Sequence, residues 1–210
     1  LNLNNNQKEQ KSNKMGKRII QQRRGRGTRT YIVRRKAYMH RIGYIQGEGN
    51  AKVLKLISSA GHTSPLAKIM LNKKIFFMPA FKNMTEGQEI TLGGSEAKEG
   101  NVLKLKDIEV GKNVYNIECR PGDGGKLVRS SGEFALVAKK IAGKTALLLP
   151  SKREVWFDEN CRAAIGIIAG HGRKEKPIVK AGKKHYMMKS RNKLWPRTSA
   201  VKMNVVDHPF

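Results

Sequence analysis

Lysine and arginine side chains give this sequence its clearest chemical potential, because two long segments place one every few positions. The first segment spans residues 16–36 and contains Arg23-Arg24-Gly25-Arg26-Gly27. The second spans residues 170–204 and holds 11 cations against one acid. Guanidinium and ammonium groups at this density pair with phosphate oxygens, and glycines let the backbone approach a surface closely. The chemistry that this pattern predicts is the binding of a polyanion.

The charge balance of the whole chain agrees with that prediction. The 210 residues carry 43 Lys and Arg against 16 Asp and Glu, a formal net charge of +27. Residues 1–41 account for +12 and residues 170–204 for +10, whereas residues 42–169 account for only +6. Such an excess favours nucleic acid as the partner, with an anionic membrane surface as the other physical option. No run of 18 apolar residues exists, so we predict no membrane span.

The cations of the two basic segments are the candidate RNA-binding residues. In the N-terminal arm they are Arg18, Arg23, Arg24, Arg26, Arg29, Arg34, Arg35 and Lys36. In the C-terminal extension they are Arg173, Lys174, Lys176, Lys180, Lys183, Lys184, Arg191, Lys193 and Arg197. The alternative for either segment is a solvated basic tail without one defined site.

Two further side chains in the C-terminal extension are candidates of a different kind. His171 lies between two glycines, so its ring is expected to be exposed on a flexible backbone, as an RNA contact or as an incidental surface histidine. Trp195 has flanks too polar for a strand or an amphipathic helix. It either stacks on a base or ribose, or packs back on the second of two predicted barrels.

Enzyme chemistry has no positive signal in this sequence. The run from Gly122 to Lys126 is rich in glycine, but a phosphate-binding loop would need Gly at Arg120 and Ser or Thr at Leu127. We interpret it as a turn between strands, although Lys126 is free to meet an RNA backbone. The five histidines are scattered, and Cys119 and Cys161 have no partner at zinc spacing. We therefore predict a reduced, intracellular protein with no metal, no cofactor and no small-molecule substrate.

The residues between the two basic segments are organised as short apolar runs separated by turn signals, which is typical of small barrels or sandwiches. The glycine-rich segment 93–100 is the predicted boundary, and the five strands before it fit a partly open oligonucleotide-binding (OB) barrel. The aromatic residues Phe76, Phe77, Phe81, Tyr115, Phe134, Trp156 and Phe157 are predicted as core, with Phe76 and Phe77 on opposite faces. Strands are predicted at 43–45, 52–57, 66–71, 74–78, 88–92, 102–105, 114–118, 126–130, 134–138, 145–149, 154–157 and 163–169.

Several motifs together resemble the family of the universal second protein of the large ribosomal subunit, in its eukaryotic and archaeal form. The resemblance runs in order from residue 15 to residue 210. Its residues are Met15-Gly16-Lys17-Arg18, Gly43-Tyr44-Ile45-Gln46-Gly47, Pro65-Leu66-Ala67-Lys68, Gly100-Asn101-Val102-Leu103, Pro121-Gly122-Asp123-Gly124-Gly125-Lys126-Leu127, Leu149-Pro150-Ser151, Ala169-Gly170, Gly172-Arg173, Lys180-Ala181-Gly182, His185, Trp195-Pro196-Arg197, Met203-Asn204 and His208-Pro209-Phe210.

The resemblance implies a mainly β protein in which an OB-fold five-stranded barrel precedes an SH3-like barrel. The expected organisation is a disordered polar extension (1–14), a basic N-terminal arm (15–41), the OB barrel (42–94), the SH3-like, translation-protein barrel (95–169) and a basic extension (170–210). The family's function would make the chain a non-enzymatic, rRNA-binding constituent of the large subunit of cytoplasmic ribosomes. It would support subunit association and the architecture around the peptidyl-transferase centre. His185 joins the rRNA-binding candidates by this resemblance.

The same resemblance defines the expected partners and the alternatives. The partners are large-subunit ribosomal RNA and neighbouring ribosomal proteins, with no membrane. The sequence departs from the family pattern at His171, where a third glycine is usual, and at Val205, where proline is usual. The family's glycine- and histidine-rich continuation is not present after Phe210, so no catalytic role is carried to any residue. The rival interpretation is a non-ribosomal assembly factor or RNA chaperone.

Overall fold

The computed structural model describes residues 26–27, 31–173 and 175–208. The chain divides into two compact units, one of Arg35–Ile178 and a smaller one that combines Leu1–Arg34 with Val179–Phe210. The larger unit contains the ten described strands. They are β1 (Gly49–Ile57), β2 (Leu66–Leu71), β3 (Lys74–Pro79), β4 (Glu89–Leu92), β5 (Val102–Lys104), β6 (Asn113–Tyr115), β7 (Ala135–Ile141), β8 (Lys144–Leu148), β9 (Glu154–Asp158) and β10 (Arg162–Ile165).

The ten strands form one sheet in the order β3-β2-β1-β4-β5-β10-β6-β7-β8-β9. Neighbouring strands are antiparallel except β4 and β5, which pair in parallel through Leu92 and Val102. The register shifts between Val53 and Lys55 in β1 and between Val137 and Lys139 in β7. An irregularity of this kind bends a strand and increases its twist. The mainly β fold class predicted from the sequence is confirmed.

Two clusters of buried side chains stabilise this unit. In β1 burial alternates along the strand, since Ala51 and Val53 are buried while Lys52 and Leu54 are exposed. The first cluster centres on β1 to β4. The second centres on β5 to β10. Val102, Tyr115, Ala164 and Ile168 belong to the first cluster although they follow the predicted boundary at 93–100, so that cluster draws on both parts of the unit.

Two of the predicted strands are wrong. In segment 43–45, Gly43 donates its N–H to the carbonyl of Phe77 and Tyr44 donates to the carbonyl of Gly124, but no regular ladder continues from them. Segment 126–130 makes only an isolated bridge between Ile117 and Leu127. Val128 stands there with a φ of 52°, a left-handed conformation that interrupts an extended strand.

The predicted aromatic core is wrong at two positions. Phe134 is 40% exposed and Trp156 is 43% exposed. Phe81, Tyr115 and Phe157 are buried as predicted. Phe76 of β3 is also buried, whereas its neighbour Phe77 is half-buried, because successive side chains of a strand point to opposite faces.

The smaller unit contains a helix that the sequence pattern did not predict. Helix α1 (Ala181–Ser190) has no buried residue and no side-chain cap at Lys180. A helix that is polar on all sides has no apolar stripe, so hydrophobic periodicity cannot reveal it. Its alanine, lysine and methionine residues are good helix formers, which favour this conformation. Gly182 therefore lies inside a helix rather than in a flexible segment.

Candidate nucleic-acid interface

A cleft of about 900 Å³ in the larger unit combines cationic and aromatic side chains. Arg41, Lys126 and Arg129 provide the cations. Tyr38 and Phe77 also line this cleft and provide aromatic rings. A cationic groove with exposed rings suits single-stranded or looped nucleic acid, since phosphates meet the cations and unstacked bases meet the rings.

In the cleft, Tyr38 and Phe77 each pack against a histidine ring. The rings of His40 and Phe77 are 4.6 Å apart between centroids, and those of Tyr38 and His62 are 5.2 Å apart, edge to face. His62 Nδ1 is 2.8 Å from the hydroxyl of Ser59. Burial and the Arg129 guanidinium hold the pKa of His62 below its usual value, so this ring favours its neutral form. His62 thus adds little to the positive charge of the cleft.

One side of the cleft is the glycine-rich loop that follows β6, and Asp123 organises it. The carboxylate of Asp123 accepts hydrogen bonds from the backbone N–H groups of Cys119 (3.1 Å), Arg120 (3.4 Å) and Gly125 (3.1 Å). The same carboxylate is 3.6 Å from the ammonium group of Lys126. An aspartate that bonds its own following backbone is a common turn-forming device. The loop is a turn, as the sequence predicts, and it presents Lys126 at the cleft.

Glu118 anchors the base of this loop. Its side chain is fully buried and its Oε1 is 2.8 Å from Nη2 of Arg162, which is 17% exposed. The carboxylate also accepts hydrogen bonds from the backbone N–H groups of Gly122 (3.2 Å), Gly124 (3.0 Å) and Arg162 (2.9 Å). Buried charges persist where partners satisfy them, and this carboxylate has such partners from both the loop and β10. The loop is therefore held to the core by one buried ion pair.

Asn116 connects Arg129 of the cleft to the buried side chain of Tyr44. Its side-chain Oδ1 accepts a hydrogen bond from Nε of Arg129 (3.0 Å), and its backbone carbonyl accepts one from the hydroxyl of Tyr44 (2.7 Å). Burial raises the pKa of Tyr44, so the phenol keeps the proton that it donates. The Arg162 guanidinium lies 5.4 Å from the centre of the Tyr44 ring. These contacts fix the direction in which Arg129 faces the cleft.

Alanine substitutions at Gly122 and Gly125 test how closely the glycine-rich loop packs against its neighbours. Gly122 and Gly125 both have positive φ, 83° and 78°. A Cβ at Gly125 would lie 2.4 Å from the carbonyl oxygen of Asn116, whereas a Cβ at Gly122 meets nothing within 4 Å. We expect Gly122→Ala to cost about 1 kcal/mol from backbone strain alone, and Gly125→Ala clearly more. Urea denaturation of both variants measures the difference, and equal losses would contradict the close approach.

The predicted residues of the N-terminal arm fall partly within the described structure. Arg18, Arg23, Arg24 and Arg29 lie outside the described residues. Arg26, Arg34, Arg35 and Lys36 are described, and all four are exposed. Arg35 and Lys36 lie in the short 3-10 helix Arg35–Ala37 of the larger unit, whereas Arg34 belongs to the smaller unit.

The start of the C-terminal extension is anchored rather than flexible. His171 and Arg173 lie in the 3-10 helix His171–Arg173, and both are exposed. A Cβ on Gly132 would lie 2.7 Å from Cα of His171, so the backbone of His171 packs closely on that loop. Nη1 of Arg173 donates a hydrogen bond to the carbonyl of Thr63 (2.8 Å). The histidine ring is exposed as predicted, but the flexible backbone predicted for it is wrong.

The remaining candidates of the extension lie in helix α1 or precede or follow it in the chain. Lys174 lies outside the described residues, and Lys184 and Arg191 are half-buried. The exposed candidates are Lys176, Lys180, Lys183, His185, Lys193 and Arg197.

Trp195 packs within the smaller unit. Its half-buried ring is 6.5 Å from that of His185, and the ammonium group of Lys184 lies 5.8 Å from its centre. Nδ2 of Asn192 donates a hydrogen bond to the carbonyl of Tyr31, which ties this part of the N-terminal arm to the segment around Trp195. A cleft of about 420 Å³ lies beside them. The two ends of the chain, predicted as separate arms, therefore meet in one unit.

Comparison with known proteins identifies the family. Residues 98–210 match the family model for the C-terminal domain of ribosomal proteins L2. Over 93% of its length the chain is 41% identical to large ribosomal subunit protein uL2 of Archaeoglobus fulgidus, covering 85% of that protein. It is 42% identical to the uL2 of Methanococcus maripaludis strain C7, with the same two coverages. The chain belongs to the uL2 family.

Family membership establishes the broad role of this uL2-family chain. It is a structural constituent of the large ribosomal subunit and therefore part of the translation machinery. The family match over residues 98–210 includes the glycine-rich loop, β10 and helix α1. The resemblance stated from the sequence motifs is confirmed.

The cleft contains residues that sequence reasoning missed. Tyr38, His40, Arg41, His62 and Arg129 line it, and none of them was a predicted site residue. They come from separate segments that only the fold brings together, so no local spacing in the sequence could reveal the group. The available signals were Lys126 in the glycine-rich turn and the position of Arg41 at the end of the predicted basic arm.

Two negative findings complete the description of the site. In residues 26–27, 31–173 and 175–208, no group of three or more His, Cys, Asp or Glu side chains is placed to hold a metal ion. Over those residues, no helix has both the length and the apolar character needed to cross a membrane.

Proposed function

We propose that this uL2-family chain anchors the large subunit's architecture by binding ribosomal RNA directly through its basic arm, its basic extension and the cleft of its larger unit. Within cytoplasmic ribosomes it supports subunit association and the RNA around the peptidyl-transferase centre. The RNA performs the chemistry there, and the protein acts as a scaffold. Neighbouring ribosomal proteins are its other partners.

The distribution of charge carries this proposal. The ion pairs between described residues engage Lys98, Lys112, Lys126, Lys139 and Arg162, all inside the larger unit. Residues 170–204, by contrast, hold 11 cations and one acid. Most of the described cations there are exposed. A folded surface with so much unbalanced charge repels itself, and a polyanion relieves that repulsion.

The cleft adds a way to hold RNA that is not duplex. Arg41, Lys126 and Arg129 meet Tyr38 and Phe77 in one cavity. Sequence-specific contacts to RNA are made mostly to unpaired nucleotides, whose bases stack on aromatic rings or arginine planes. The cleft is thus suited to a loop or bulge, while the extension is suited to phosphates along a backbone.

The salt dependence of binding tests the proposal. We expect the logarithm of the affinity for large-subunit RNA to fall linearly with the logarithm of salt concentration. The slope should be about −0.7 to −0.9 for each phosphate neutralised. Filter binding or fluorescence anisotropy across a salt series measures it. An affinity that does not change with salt would contradict phosphate anchoring.

A further inference from the structure

The outer face of β7, β8 and β9 differs from the rest of this basic chain. The residues of this face form three rows across the strands. Between β7 and β8, Leu136 pairs with Leu148, Lys139 with Ala146, and Ile141 with Lys144. In β9 the same rows continue with Glu154, Trp156 and Asp158. We call this surface the neutral face. Its residues are Leu136, Lys139, Ile141, Lys144, Leu148, Glu154, Trp156 and Asp158, which surround the buried Ala146.

The neutral face combines exposed apolar side chains with charged side chains whose charges cancel. Ile141 is 62% exposed, Trp156 43% and Leu148 39%. Two lysines stand against two acids, and Nζ of Lys139 is 3.5 Å from a carboxylate oxygen of Glu154. In a chain with a net charge of +27, a surface of zero net charge with an exposed tryptophan does not attract phosphates. An exposed apolar patch of this kind is typical of a protein-binding surface.

The edge of the sheet beside this face is open. β9 is the last strand in the sheet order, and no other strand of the described chain pairs with its outer edge. At the opposite end, the edge of β3 is covered, because Ile42 forms a bridge with Phe77 and the N–H of Gly43 bonds to the carbonyl of Phe77. β9 contains no proline and no register shift. Uncovered edges of this type accept an added strand.

We propose that an extended segment of a neighbouring ribosomal protein adds to the outer edge of β9 and covers Trp156. The backbone of β9 forms the hydrogen bonds with the incoming strand. The apolar side chains of the neutral face contact every second side chain of that strand. Because the face has no excess of either charge, the segment that fits has apolar residues at its centre and little net charge. This surface binds protein and lies outside the RNA-binding function proposed above.

Photo-crosslinking in assembled large subunits tests this assignment. The full chain carries the photoreactive residue p-benzoylphenylalanine in place of Trp156, and a control chain carries it in place of Val179, which is 85% exposed in the basic extension. We expect position 156 to crosslink to one extended segment of another protein and position 179 to crosslink to RNA. An RNA crosslink, a second copy of this chain, or no crosslink at position 156 overturns the inference. Loss of the RNA crosslink at position 179 would instead count against the proposed function.

The protein identified by the crosslink then allows an affinity measurement. Trp156→Ala should weaken its binding to the full chain by about 30-fold, the effect of removing a central interface tryptophan. Leu54→Ala is the matched control, since Leu54 is an exposed apolar residue of β1 outside the neutral face. We expect the control to bind like the unmodified chain, and both variants to bind RNA normally. Equal affinities for Trp156→Ala and the unmodified chain would overturn the inference.

Discussion

Replacing five exposed cations of the C-terminal extension by glutamine should weaken binding to large-subunit RNA by about 3,000-fold. Each lysine or arginine close to a dense anionic surface contributes roughly fivefold in affinity. The loss should be largest at low salt, and the slope of the log–log salt plot should fall by about 3.5 to 4.5. The residues are Lys176, Lys180, Lys183, Lys193 and Arg197, all exposed.

A control with the same change in net charge separates local contacts from overall attraction. The control replaces five exposed lysines of the larger unit by glutamine, which are Lys106, Lys112, Lys139, Lys140 and Lys144. Lys139 and Lys144 belong to the neutral face, and the other three lie in the same larger unit, outside the basic extension, so their loss should reduce affinity far less. If both variants lost the same affinity, net charge alone would explain binding, and the extension would not be an anchor.

Glu118→Gln should destabilise the larger unit by about 3–5 kcal/mol, since it breaks a buried ion pair and leaves one charge without its partner. The lost partner is Arg162, whose Nη2 is 2.8 Å from Oε1 of Glu118. The new amide also places an N–H donor where one carboxylate oxygen now accepts, against the backbone N–H of either Gly122 or Gly124. Urea denaturation measures the loss of unfolding free energy.

An exposed ion pair provides the control for that variant. Glu154→Gln removes the partner of Lys139 at 3.5 Å, and the side chains of both residues are more than a third exposed. Solvent screens such pairs, so we expect less than about 1 kcal/mol. A Glu118 variant that is no less stable than the Glu154 variant would show that the buried pair does not hold the loop.

The strands were predictable from the sequence because each has a local pattern. In β1, buried Ala51 and Val53 alternate with exposed Lys52 and Leu54, and glycine-rich turns separate this strand from its neighbours. Segment 126–130 has similar apolar residues, but the left-handed conformation of Val128 interrupts it. That conformation depends on the packing of the surrounding loop, which no local pattern encodes.

The candidate site was predictable only where it depends on charge. The basic segments are visible as runs of cations in the sequence itself, without any knowledge of the fold. The cleft is different, because Arg41, His62 and Arg129 are far apart in the chain and only tertiary structure joins them. Helix α1 was missed for a related reason, since it has no buried residue and its sequence carries no hydrophobic period.

Sedimentation of large subunits after a high-salt wash tests the central claim most directly. A structural constituent held by many phosphate contacts inside folded RNA should stay with the subunit, because the surrounding RNA and protein retain it. We therefore expect the chain to migrate with large subunits in the gradient, at one copy each. Recovery of the chain as free protein at the top of the gradient would contradict this account and favour an exchangeable assembly factor.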